Sequence, residues 1–403
     1  MIRHEADRCV LCGLCLPHCP TYAQSRDENE SPRGRIALMR AVANGELAMS
    51  ATIQRHLDNC LLCRACEAKC PSRVNYARMV DASRATFATP APAPETRLIE
   101  ELAQNRALRH QRQKQWWLAE KSGLRRLGRQ LGVTRLLGLG RLERLAPPME
   151  HPGQWPDYAP PATDLRRGDV ALFTGCFGEM FDQQTLRSAL TLLNRLGFGV
   201  HVPASQGCCG ALHHHQGDAD TAQQLAQANI EAFSALDVAA IITTASGCGS
   251  HLAEYGQLGD EGTEVGHKVR DISEFLSAIE WPDEVTLKPL RKRVAVHEPC
   301  SLRNVQKASR FPYKLLEKIP GLEIIPLPGN GQCCGGAGSY MLDHPDRAER
   351  LRQPKLEALA RIGADILVTS NIGCSLHIGA GLRAEGRRLE LIHPVTLLAR
   401  QLG

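Results

Sequence analysis

Apolar positions in the C-terminal part of the chain fall into short β-rich runs bounded by Gly and Pro, at 170–173, 240–244, 294–296 and 365–369. Runs of this length flanked by turn formers predict buried strands. Between them lie longer stretches whose apolar residues recur at helical spacing, 183–196, 222–236 and 348–362. Strands alternating with helices imply mostly parallel sheets. Toward the N-terminus the pattern over 36–57 is helical. Prolines crowd 89–94, and six more fall within 146–161; both stretches predict extended linkers. The stretch between them, rich in Leu and Arg, has helical spacing broken by Gly123, Gly128, Gly132, Gly138 and Gly140, which predicts short helices. Trp116 and Trp117 read there as packing residues or a docking anchor.

The C-terminal part is an internal repeat. Cys176 precedes the Cys208-Cys209 pair by 32 positions, and Cys300 precedes Cys333-Cys334 by 33; Cys248 and Cys374 follow at 39 and 40. Each cysteine closely follows a predicted strand, and strand C-termini are where open α/β sheets bind ligands. Three strand ends can therefore converge on one site, and a pseudo-two-fold between the repeats is expected.

All sixteen cysteines sort into four sets of four with none left over. The chain has no apolar run long enough to span a bilayer and no apolar stretch before Cys9, which predicts neither a transmembrane helix nor a secretory signal. A reduced compartment and metal ligation follow as the expected use of the thiols. At 403 residues, two or three domains are expected. The formal net charge of +5 is uneven: 97–144 holds twelve Lys/Arg against four Asp/Glu. That segment suits an acidic partner, an anionic membrane surface or nucleic acid, or is a solvated helical face.

Cys9-x2-Cys12-x2-Cys15-x3-Cys19-Pro20 is the bacterial ferredoxin spacing, and Cys60-x2-Cys63-x2-Cys66-x3-Cys70-Pro71 repeats it. Three cysteines at intervals of three wrap backbone around one cubane, and the fourth ligates the other cluster. The expected sets are Cys9, Cys12, Cys15 and Cys70 for one [4Fe–4S] cluster, and Cys60, Cys63, Cys66 and Cys19 for the second. Adjacent cysteines suit a multi-iron centre better than one mononuclear metal. Cys176, Cys208, Cys209 and Cys248 form one candidate metal site, and Cys300, Cys333, Cys334 and Cys374 another. Further iron–sulfur clusters, zinc or a redox-active disulfide stay open there. The His213-His214-His215 run reads as an exposed loop, with metal binding as the alternative. Gly331, Gly335 and Gly336 read as places where backbone approaches a cluster. The chain shows no Walker A sequence, dinucleotide fingerprint or Ser-His-Asp set, so no catalytic residue and no organic cofactor are expected.

Two ferredoxin runs followed by two Cys-Cys-Gly modules resemble the iron–sulfur subunits of glycolate oxidase over nearly the whole chain. Ser31-Pro32-Arg33-Gly34-Arg35-Ile36, Glu254-Tyr255-Gly256 and Asn371-Ile372-Gly373-Cys374 are similar to that family. The iron–sulfur subunits of D-lactate and anaerobic glycerol-3-phosphate dehydrogenases share the layout, and the modules alone resemble the cysteine-rich subunit of heterodisulfide reductase. That last pattern ends in Cys-x-x-Cys, where this chain has His251 and His377. The departure weighs against heterodisulfide chemistry and leaves the two histidines as replacement ligands or hydrogen-bond donors. The expected fold is an α+β multidomain one: a helical two-cluster ferredoxin domain (1–88), a basic helical linker (89–161), and two repeated α/β cysteine-rich (CCG) modules (162–288 and 289–403). The resemblance implies an electron-transfer subunit relaying electrons from an FAD-containing flavoprotein that oxidises glycolate to a quinone. It also implies a cytoplasmic location, peripheral attachment to the inner membrane, and no nucleic-acid partner.

Overall fold

The computed structural model describes residues 1–87 and 92–403. The proline-rich run at 89–94 therefore lies partly outside the described residues. In the N-terminal part, helices Ile2–Asp7, Pro32–Ala43, Ala51–Asp58 and Tyr76–Thr86 pack around Met39, Leu57, Met79 and Val80. The helix expected across 36–57 is two helices. Gly45 takes a left-handed φ of 77° that ends the first, and the Ser50 hydroxyl accepts the Ile53 N–H to start the second.

Two sheets follow. The first joins β1 (Tyr158–Ala159), β2 (Asp169–Phe173), β3 (Gly199–His201), β4 (Ile241–Thr243) and β5 (Val269–Asp271) in the order β1-β3-β2-β4-β5. The second joins β6 (Arg293–His297), β7 (Glu323–Pro326), β8 (Ile366–Thr369) and β9 (Glu390–Ile392) in the order β7-β6-β8-β9. All neighbours are parallel except β1, which runs antiparallel to β3. With β1 set aside, the two orders are the same, as the repeat predicts. β1 lies in the stretch read as a linker: Pro-flanked Tyr158 and Ala159 cap the edge of the first sheet.

The two repeats pack reciprocally. Helix Gln183–Arg195 of the first meets Pro394–Gln401 of the second, and the counterparts Phe311–Leu316 and Ile272–Ala278 meet each other. Such exchange of equivalent surfaces is the signature of a two-fold interface. Near the axis the Ser246 N–H donates to the Ser370 carbonyl (2.9 Å) and the Gly247 N–H to Asn371 Oδ1 (3.1 Å). Val170, Leu172, Val294, Val296 and Val368 share one core with Leu192, Leu193, Val395 and Leu398. The strands are short, but each sheet buries a face against the other repeat, which neither could do alone.

The basic segment is a bridge more than a spacer. Its longest helix, Arg106–Lys121, buries Arg109 and Gln113 against the first repeat: Arg109 Nη2 meets Glu179 Oε2 at 3.2 Å, and Gln113 Nε2 donates to the Glu179 and Met180 carbonyls. Leu142 and Leu145, on helix Gly140–Leu145, pack with Leu342 and Ala380 of the second repeat. Trp116 stands 6.2 Å from Phe181, as packing requires. Arg125 is buried too, held by Glu120, Glu143 (2.7 Å) and two carbonyls. Glu143 also takes Arg129 at 3.2 Å. Arg109 and Arg125, two of the segment's twelve cations, are thus buried and spent within the fold. Among the described residues no helix is long and apolar enough to cross a membrane.

Candidate metal centres

Both ferredoxin runs wrap in the same way. Leu11 and Gly13 take left-handed φ of 56° and 80°, and Leu62 and Arg64, at the equivalent steps of the second run, take 49° and 55°. Alternating right- and left-handed residues turn successive N–H groups into one concavity, a shape that suits an anionic iron–sulfur cluster. Cys9, Cys12, Cys15 and Cys70 line one small cavity with Pro71 and Ile36. Cys66 feels Cys63, Cys60 and Cys19 as neighbouring charges. The structure thus brings the fourth cysteine of each run to the other run's three. The first site lies near the surface, ringed by exposed Val10, Leu11 and Leu14; the second is buried behind it.

The Ser31–Ile36 motif supports the second site. Ser31 caps helix Pro32–Ala43 through the Gly34 N–H. A Cβ on Gly34 would collide with the Glu28 carbonyl, so only glycine lets that turn approach the helix. Arg35, fully buried, donates to Glu30 Oε2 (2.8 Å), the His56 carbonyl (2.6 Å) and Thr21 Oγ1 (3.1 Å). Thr21 Oγ1 in turn lies 3.2 Å from Cys19 Sγ.

In the repeats every cysteine follows a parallel strand at its C-terminal end. Cys176 and Cys300 come after β2 and β6, the Cys-Cys pairs after β3 and β7, and Cys248 and Cys374 on helices after β4 and β8. Sulfur contacts run from Cys176 through Cys208 and Cys209 to Cys248, and from Cys300 through Cys333 and Cys334 to Cys374. Cys176 and Cys208 are 3.4 Å apart, Cys334 and Cys374 3.2 Å. All sixteen cysteines are free. Both quartets line one cavity of about 600 Å³, walled also by Cys60 and Leu61 of the N-terminal part. Cys63 and Cys300 pack against the same cluster of Leu61 and Cys333, and Asn304 Nδ2 donates to the Cys63 carbonyl at 2.8 Å.

The thiols themselves test the fit of a metal. Contact with Cys208 and burial push Cys176 far above the ordinary thiol range. Burial does the same to Cys63 and Cys66 and lifts Cys15 to about 11. So many buried sulfurs can ionise together only beside compensating positive charge, which the irons of a cluster provide. The donor set fits iron–sulfur ligation.

Several expectations shift. Gly335, with φ 88°, lies against a helix and not the chamber: a Cβ there would meet the Ala348 carbonyl at 2.6 Å, as one on Gly210 would meet Ala222 at 2.9 Å. This is why each Cys pair is followed by glycine. His213–His215 belong to helix Ala211–Gln216, and His213 is buried on Asp218 (3.3 Å). His377 spends Nε2 on the Ala348 carbonyl (3.0 Å). His251 turns to His214 and His215, with ring centroids 5.1 and 6.0 Å away.

Sequence reading passed over His297 and Lys355. His297 ends β6 and lies with Cys334 and Cys374 within metal-ligating range; its Nδ1 is 2.9 Å from Thr369 Oγ1, and burial, with the Lys355 charge, drives it down to about 3. Lys355, also buried, donates to the Gly329 carbonyl and faces the same sulfurs. A histidine at a strand end that also precedes a cysteine was the available signal for His297. Tyr255 explains its motif by donating to the Cys209 carbonyl at 2.7 Å, and Asn371 by donating to Cys374 Sγ at 3.4 Å.

Cysteine quartets on wrapped loops and at converging strand ends define an iron–sulfur protein. The chain matches the 4Fe-4S dicluster domain over 5–74 and the family described as Cysteine-rich domain twice, over 170–253 and 294–379. It is 34% identical to the probable glycolate oxidase iron-sulfur subunit of Bacillus subtilis, over 99% of this chain and 94% of that one. Against the glycolate oxidase iron-sulfur subunit of Escherichia coli it is also 34% identical, over 94% and 91%. Lactate utilization protein A of a Geobacillus species is 28% identical over 57% of this chain and 98% of its own. The chain belongs to the family of glycolate oxidase iron–sulfur subunits.

Proposed function

We propose that this chain carries electrons from an FAD-containing flavoprotein, which oxidises glycolate to glyoxylate, towards a membrane quinone. In this reading Cys9, Cys12, Cys15 and Cys70 hold one [4Fe–4S] cluster and Cys60, Cys63, Cys66 and Cys19 the second. The Cys176 and Cys300 quartets hold further iron–sulfur centres. Such clusters supply one-electron redox steps that divide the two electrons of a reduced flavin. The observation that carries the reading is contiguity. Cys66 borders both N-terminal sites, Cys63 and Cys300 pack against one apolar cluster with Leu61 and Cys333, and both repeat quartets open on one chamber. The protein's own work is to hold the sulfurs in register, keep water from most of them, and present amide and hydroxyl donors.

The basic segment supports attachment to an anionic bilayer. Leu124, Leu127, Leu131, Leu136 and Leu137 are exposed, Leu136 at 86%, and Arg126 and Arg135 are exposed among them. Exposed leucines interleaved with arginines suit the headgroup boundary of a membrane. The relay is tested anaerobically with flavoprotein and glycolate. The iron–sulfur absorption of this chain should bleach only when the flavoprotein is present. Bleaching or turnover of glycolate by the isolated chain, or none with the flavoprotein, refutes the reading.

A further inference from the structure

Away from the sixteen cysteines, the wall of the chamber carries a second concentration of ligand atoms. Asp81, on helix Tyr76–Thr86, is buried where that helix meets Ala211–Gln216. Its two carboxylate oxygens face different histidines: Oδ2 is 3.4 Å from His214 Nε2, and Oδ1 is 3.1 Å from His215 Nδ1. The donor atoms of all three residues lie within 4.8 Å of one another. The His251 ring packs against this group from outside it, 5.1 Å from His214 and edge-on to Tyr255 at 5.8 Å.

Two bonds of about 2.0–2.1 Å at a tetrahedral angle put donor atoms about 3.3 Å apart. The two Asp81–His spacings bracket that value. In the tautomers that leave His214 Nε2 and His215 Nδ1 unprotonated, both nitrogens offer a lone pair beside the Asp81 carboxylate, a donor set suited to one divalent ion. We propose that Asp81, His214 and His215 bind a single zinc ion, separate from the cysteine sites and made of nitrogen and oxygen donors alone. Because Asp81 comes from the N-terminal part and the histidines from the first repeat, the ion would fasten the two across the chamber wall. Arg84 already reaches over the same seam, donating to the His215 carbonyl at 2.8 Å.

The test uses the full chain, prepared anaerobically with its iron, exposed to Zn2+ and dialysed against a weak chelator. About one zinc per chain should remain, and X-ray absorption at the zinc edge should show nitrogen and oxygen neighbours with imidazole scattering and no sulfur. Asp81→Asn and His215→Gln should each lower retained zinc at least about tenfold while iron content stays at the wild-type level. Should either variant fail to take up iron, His214→Gln and the wild-type absorption spectrum decide. Sulfur in the first shell, zinc retained equally by the variants, or no zinc held by the wild type would each overturn the site and leave the Asp81–histidine contacts as ion pairs.

Discussion

Arg35→Met probes how the N-terminal part holds its second site. The guanidinium is buried and spends three donors on Glu30, the His56 carbonyl and Thr21. Glu30 also accepts from Asn59 at 2.7 Å and meets His56 at 2.8 Å. Removing one partner of a buried ion pair costs about 3–5 kcal/mol, because the other charge is left without compensation. Arg347, 3.5 Å from Glu30, keeps part of that compensation, so the lower end, about 3 kcal/mol, is expected. That is a factor of about 150 in the local opening equilibrium. The assay is iron release to an excess chelator, which samples local opening. Release should accelerate about a hundredfold, beginning with the site of Cys60, Cys63, Cys66 and Cys19, because Thr21 joins the network to Cys19. Cys19→Ala is the matched control and should abolish the EPR signal of that same site. Pairing Arg35→Met with Glu30→Gln removes both charges and should recover much of the loss. Release from Arg35→Met within twofold of wild type would refute the argument.

Asp271 caps helix Ile272–Ala278 through the Ser273 N–H (2.8 Å) but leaves Oδ2 buried without a partner, and burial lifts its carboxyl to about 7. An acid whose folded pKa is raised stabilises below its unfolded value, near 3.9, and loses that contribution as pH climbs to about 7, roughly 4 kcal/mol in all. Melting temperatures at pH 5 and pH 7.5 should therefore converge in Asp271→Asn, and an unchanged gap would remove Asp271 as a cause. Lys355→Met takes a buried cation from the quartet of Cys300, Cys333, Cys334 and Cys374. An EPR-monitored redox titration should show the centre held there about 100 mV lower, the effect of one charge at an effective dielectric of about 20, with the Cys176 quartet unmoved.

The spacing of cysteines reports local wrapping, and local wrapping is what the sequence made legible. Cys9 to Cys19 and Cys60 to Cys70 each bend around one centre because residues two and four steps after the first cysteine turn left-handed. The repeat was legible for a related reason: strand, cysteine and helix recur in a fixed order, and strand C-termini lie on one side of a parallel sheet. What single-chain patterning does not encode is which helix faces remain to be covered once each sheet has formed. The arginines of the basic segment carry the same charge in sequence whether they end on Glu143, like Arg125, or in solvent, like Arg126. Asp81 is one of several polar residues on its helix until the helix meets His214 and His215.

The same limit explains why the two repeats look equivalent in sequence and differ in chemistry. Aligned on Ala222 and Ala348, the alanines that the Cys-Cys-Gly glycines meet, Asn229 of the first repeat occupies the place of Lys355 in the second. Likewise Phe173 at the end of β2 stands where His297 ends β6. Asn229 is neutral and closes its own loop, donating to the Cys208 carbonyl at 2.7 Å and accepting the Gly207 N–H at 2.9 Å. Lys355 reaches a carbonyl in the corresponding loop of the second repeat but brings a buried positive charge. A pseudo-two-fold that preserves the fold therefore places two quartets on one chamber in unequal fields. Extra negative charge is held more easily beside Lys355. The quartet beside Lys355 is also the one whose Cys300 packs against the same apolar cluster as Cys63. On the proposed relay, the repeat whose quartet neighbours Cys63 would be the one fitted to take an electron from the second N-terminal site, and the repeat that carries Asn229 would stand further along the chamber wall.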